Sequence, residues 1–92
     1  MKSVVTDDFQ ARFAQLPVNI QQQARDAYKI FKVTPSYPGL RYHQVTSKKS
    51  GKVLQSVSIG IHYRALAQEK NGVLEWFWIG HHSVYDKILA EK

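Results

Sequence analysis

The dipeptide Asn71-Gly72, set between the apolar runs 63–67 and 73–79, constrains the fold more than any other feature of the chain. Both residues tolerate positive φ, which a type I′ turn demands, so the two runs are predicted to fold back as adjacent antiparallel strands. Residues 73–79 are apolar on both faces except for Glu75, the pattern of an inner strand covered from both sides. Upstream, Val53, Val57, Ile59 and Ile61 alternate with Leu54, Ser56, Ser58, Gly60 and His62. That is strand period with one small, polar face. Residues 41–45 are predicted as another strand, leading into the polar loop of residues 47–52.

Before the strands the period changes. Residues 2–6 are β-branched and read as a short strand, with Thr6 placed to cap a helix opened by Asp7 and Asp8 at its positive end. Phe9, Phe13 and Leu16 follow at helical spacing. Pro17 suits the first turn of a second helix, whose stripe is Ile20, Ala24, Ala27, Tyr28 and Phe31, and Pro35 stops it. After Gly80, a short C-terminal helix is expected, with Ser83 as its cap. The expected architecture is a single α+β domain over residues 1–92: an N-terminal strand, a helix hairpin packed on a three- to four-stranded antiparallel sheet, and a short C-terminal helix. Ile20, Ala24, Tyr28, Phe31, Val57, Ile59, Phe77 and Ile79 are expected to be buried where the hairpin meets the sheet.

Charge narrows the function. The 92 residues carry thirteen Lys and Arg against seven Asp and Glu, a net charge of +6. All seven acids lie outside residues 27–68, while Lys29, Lys32, Arg41, Lys48, Lys49, Lys52 and Arg64 lie inside it. An acid-free basic middle favours a polyanionic partner such as nucleic acid. Cysteine is absent, which excludes disulfides, thiolate metal sites and a cysteine nucleophile. Neither a charged-then-apolar leader nor a membrane-length apolar run is seen, so a cytoplasmic protein without a membrane partner is expected.

Several segments taken together resemble the RelE/ParE superfamily, the toxins of bacterial type II toxin–antitoxin systems. They are Leu16-Pro17, Ala24 with Ala27, Tyr28 and Phe31, the turn at Tyr37, Pro38, Gly39 and Leu40, the strand with Tyr63, Arg64, Ala65 and Leu66, and the stretch Trp76 to Tyr85 and Asp86. The resemblance covers nearly the whole chain and is closer to the RelE-like branch. It implies a metal-free endoribonuclease that cuts mRNA, for many relatives on the ribosome, with a cognate antitoxin as partner and DNA contacted only through that antitoxin. It also implies two alternatives: a ParE-like inhibitor of DNA gyrase that cuts nothing, or a degenerate member that only binds its antitoxin. Carried residue by residue, the catalytic positions are Arg64, His81, His82 and Tyr85. Where RelE-like sequences hold basic residues on the preceding strand, this chain has Ser56 and Ser58.

The residue chemistry fits that expectation. Cleaving RNA without a metal needs a base for the 2′-hydroxyl, cations for the developing phosphorane charge and an acid for the leaving oxygen. Histidine serves as base or acid near neutrality, and arginine offers a permanently charged fork to phosphate. Equal arms from the Asn71-Gly72 turn set Tyr63 and Arg64 across from Ile79 and Gly80, bringing His81 and His82 near Arg64. Lys48, Lys49, Lys52 and Arg41 are the candidate nucleic-acid contacts. Arg64 has a second reading, as a partner of Asp86 or Glu75. His62 reads as a solvated strand end, and Trp76 and Trp78 are expected on one face. His82 and Asp86, four apart beside His81, make too few ligands for a metal site, so no metal or cofactor is expected.

Overall fold

The computed structural model describes residues 2–91, and its chain order follows the sequence pattern closely. Strand β1 (Lys2–Val5) leads into α1 (Asp7–Ala14) and α2 (Val18–Val33), then a 3₁₀ turn at Pro38–Leu40. Strands β2 (His43–Thr46), β3 (Val53–Ile59), β4 (Tyr63–Lys70) and β5 (Val73–His81) follow, and α3 (His82–Glu91) ends the chain. Thr6 caps α1 as expected: its hydroxyl accepts the Phe9 N–H at 3.1 Å, while Asp7 and Asp8 occupy the first turn. Asn71 and Gly72 both take positive φ, 52° and 78°, and close the β4–β5 hairpin.

The sheet holds five strands in the order β1-β5-β4-β3-β2, not three to four. Strands β2 to β5 are antiparallel neighbours, and the extra member is β1, which pairs parallel with β5 from Lys2↔Val73 to Val5↔Trp76. Without β1, the outer edge of β5 would present unpaired backbone groups. Strand β2 starts two residues later than expected, because Leu40 closes the 3₁₀ turn and Arg41 takes the left-handed region at φ 49°. Strand β3 ends at Ile59, leaving Ile61 and His62 in the turn to β4.

Each face of the sheet has its own core. On the hairpin side, Ala24, Val57, Ile59, Ala65, Ala67, Leu74, Trp76 and Ile79 are buried, with Phe9, Phe13, Leu16, Ile20 and Phe31 packed against them. On the other side, Leu54, Leu66 and Trp78 meet Ile88 and Leu89 of α3. Of the eight residues expected to be buried, Ile20 and Phe31 are only half-buried, though packed on this core, and two others differ further. Tyr28 is 41% exposed, with the Lys32 ammonium 5.5 Å from its ring centroid, since it sits at the margin of the α2 stripe. Phe77 is half-buried and packs on the α3 side.

A β-bulge explains Phe77. The β4–β5 register steps from Ala67↔Trp76 to Leu66↔Trp78, so the step falls at Phe77. One extra residue breaks the two-residue alternation. Trp76 therefore enters the hairpin-side core and Trp78 the α3-side core, rather than sharing a face. The bulge also moves the far end of the hairpin by one position: Arg64 lies opposite Gly80, and Tyr63 opposite His81.

Candidate functional site

The α3 side of the sheet carries the small polar row anticipated from β3. Ser58, Arg64 and Gly80 lie side by side on β3, β4 and β5, and Ser56, Leu66 and Trp78 form the next row. Gly80 is required by what stands over it. A Cβ there would lie 2.7 Å from the six-membered ring of Trp78, so only glycine lets the indole lean across the strand. Ser56 is fully buried and Ser58 is 6% exposed. Tyr85, on α3, donates its hydroxyl proton to Ser56 Oγ at 3.0 Å, and its ring is tilted against Trp78 at 6.3 Å. Serine at 56 thus answers a packing need: α3 docks where a longer side chain would hold it off.

Arg64 is half-buried at the end of that row, and its guanidinium donates to the carbonyls of Tyr63 at 2.8 Å and Ile61 at 3.2 Å. Among the described residues neither Asp86 nor Glu75 pairs with it, and Glu75 accepts instead from the Gln68 amide. The charge of Arg64 is consequently held by backbone dipoles and left without a carboxylate. An arginine so placed is oriented yet still able to attract an anion.

The histidines gather at the same end of the sheet. His81 pairs with Tyr63 and meets its ring edge-on at 5.3 Å, which puts it one pleat away from Arg64. Its Nδ1 lies 2.9 Å from Ser83 Oγ and accepts the Ser83 N–H at 3.1 Å, so His81 caps α3 in the place expected for Ser83. His82 opens α3 and stacks on His81 with centroids 4.6 Å apart. His62 completes the group by stacking on both. Sequence reasoning left His62 as a solvated strand end. The signal that could have found it is its place in the tight β3–β4 turn, directly before the strand that faces His81.

The lysines lie elsewhere. Ser47 is buried and donates from Oγ to the Leu89 carbonyl at 3.2 Å, while the Lys48 N–H donates to the same oxygen at 3.1 Å. The loop bearing Lys48, Lys49 and Lys52 therefore caps the C-terminal end of α3, where cations complement the helix dipole. Seven residues of helix separate His82 from Leu89, or about 10 Å at the helical rise. Arg41, exposed just before β2, is at the opposite end of that strand from the lysine loop. The basic residues thus lie at both ends of β2 rather than in one patch.

A family model described as the ParE-like toxin domain matches residues 18–87, which include α2, strands β2 to β5 and the start of α3. The chain belongs to this family of toxins. Solved members of the wider RelE/ParE group share its fold. YafQ from E. coli strain BL21(DE3) superposes with a TM-score of 0.71 at 9% identity, covering 91% of this chain and 96% of that one. The RelE–RelB complex of Pyrococcus horikoshii OT3 gives 0.64 at 13% identity, covering 87% and 92%. A toxin from Helicobacter pylori, solved as a copper-bound mutant, gives 0.61 at 18% identity, covering 90% and 96%. No curated protein sequence matches the chain. At these identities the structural likeness speaks for the fold, and the ParE-like toxin's chemistry has to be argued from its own residues.

Proposed function

We propose that this ParE-like toxin is an endoribonuclease that cuts mRNA in the cytoplasm and is neutralised by a cognate antitoxin. The observation that carries the reading is Arg64: a half-buried arginine held by two carbonyls, paired with no carboxylate, beside a row of small residues and next to histidines. Arg64 serves as the cation for the scissile phosphate, and His81 or His82 handles the proton of the attacking 2′-hydroxyl or of the leaving oxygen. Tyr85, whose hydroxyl reaches Ser56, holds α3 over the row and lies within the same face. Lys48, Lys49, Lys52 and Arg41 contact the RNA backbone on either side, a sequence-independent attraction that weakens with salt. The RelB partner in the archaeal complex supports a protein antitoxin for this chain as well.

A second reading has its own support. Ser56 and Ser58 are buried at positions where the RelE-like resemblance implies basic residues, as a member that binds its antitoxin but cuts nothing would allow. Expression of the chain alone, with RNA ends mapped in the cell, separates the two. For a nuclease, Arg64→Ala lowers cleavage about a hundredfold, roughly 3 kcal/mol of transition-state stabilisation, with the fold intact. Tyr85→Phe and the double replacement of His81 and His82 divide the remaining roles. If the parent chain and all three variants arrest growth while no RNA is cut, the nuclease reading fails and gyrase inhibition replaces it. If the parent chain neither cuts nor arrests, the chain is an antitoxin-binding relic.

A further inference from the structure

Three of the four histidines in the chain, widely separated in sequence as 62 and 81–82, come together where the β3–β4 turn meets the start of α3. One ring nitrogen from each lies within 4.8 Å of the other two. The backbone already joins the two segments, because the His82 N–H donates to the His62 carbonyl at 2.7 Å. We propose that His62, His81 and His82 bind a divalent late first-row transition ion such as Zn²⁺ or Cu²⁺.

The donor set selects the ion. Neutral imidazole suits zinc, copper and nickel, whereas magnesium and calcium require oxygen donors, and the cluster contains no carboxylate. Three protein nitrogens leave the fourth tetrahedral position to water or an incoming ligand. Zinc–nitrogen bonds of 2.0–2.1 Å set the nitrogens about 3.3 Å apart, so the cluster must contract by no more than about 1.5 Å. His62 and His82 are exposed, and rotation of their rings accomplishes this without disturbing the core. The rings now stack within 10° to 28° of parallel, and the same rotation turns their lone pairs towards a common point.

His81 has the support that metal-binding imidazoles usually have. Its Nδ1 is engaged by Ser83, which leaves Nε2 as the ligand atom. When Nε2 binds an ion, the proton moves to Nδ1, which then gives up the Ser83 N–H and donates to Ser83 Oγ, 2.9 Å away. The ion then acts as a clasp between the β3–β4 turn and α3. An ion held there would occupy His81 and His82, the proposed proton-handling groups, so its binding is measured without RNA and stands or falls apart from cleavage.

The test uses the full chain without an affinity tag, titrated calorimetrically with Zn²⁺, with Co²⁺ absorption to report tetrahedral geometry. One equivalent should bind and raise Tm by several degrees, as any ligand selective for the folded state does. His62→Ala and His82→Ala, both at exposed positions, should each weaken binding by about tenfold or more while circular dichroism shows the fold retained. His43→Ala, on the far strand β2, should bind as the parent does. Absence of saturable binding, binding unchanged by His62→Ala, or equal weakening by His43→Ala would each overturn the site.

Discussion

The two faces of the sheet are covered in different ways. On the hairpin side, the helices and the sheet leave a half-open pocket of about 360 Å³ lined by Phe9, Ala24, Ala27, Phe31, Val57 and Trp76 among others, and Val5 and Tyr28 at its margin stay more than a third exposed. On the α3 side a single ten-residue helix seals Leu54, Leu66, Ser56 and Trp78 to 2% exposure or less. The larger cover is the looser one. Side-chain size accounts for this, since Ala24, Ala27 and Ala65 line the hairpin side of the cavity while Trp78 fills the space under α3. Arg64 and Tyr85 of the proposed chemistry thus lie on the well-packed face, while His81 pairs with Tyr63, whose ring packs on the hairpin side.

Large-to-small substitutions should expose the contrast most strongly. Trp78→Ala is expected to cost about 3–5 kcal/mol, against about half of that for Phe31→Ala on the half-open side, read as midpoints of urea unfolding. Equal losses would mean that the hairpin side closes in solution. Next in size is Tyr85→Phe, which leaves the buried Ser56 hydroxyl without its donor and should cost about 1 kcal/mol with little change in m-value. No loss would show that the Tyr85–Ser56 bond adds nothing to the docking of α3. Filling the cavity with Ala27→Leu should have the opposite sign, a gain of about 0.5–1 kcal/mol by the same measurement. A loss there would show the space to be already occupied by side-chain motion.

The smallest effect concerns the rim of the hairpin side. Tyr42 packs edge-on against Phe31 at 5.0 Å, and its phenol is pushed above the ordinary value of 10.0, first by burial and then by the charge of Glu69. An acid whose folded-state pKa is raised keeps its stabilising contribution below the unfolded value and loses it as pH climbs towards the folded one. The difference between ultraviolet titrations of the parent and Tyr42→Phe should show one phenol ionising above pH 10. A difference curve centred at or below that value would place Tyr42 in open solvent.

Local sequence determined the elements of this protein and their order. Asn71-Gly72 sets its hairpin because positive φ is local, Thr6 caps α1 because its oxygen reaches only three residues on, and the α2 stripe follows from helical period. The basic, acid-free middle was equally plain, and Arg64, His81 and Tyr85 could be named from sequence as residues of the proposed site. Tertiary structure decided the rest, because each remaining feature depends on a partner distant in the chain. The bulge at Phe77 arises from packing on two faces at once and sends Trp76 and Trp78 to opposite cores. Strand β1 enters the sheet only because β5, some seventy residues later, has an edge to offer it. His62 joins His81 and His82, and the lysine loop finds the end of α3, through contacts that no local period encodes.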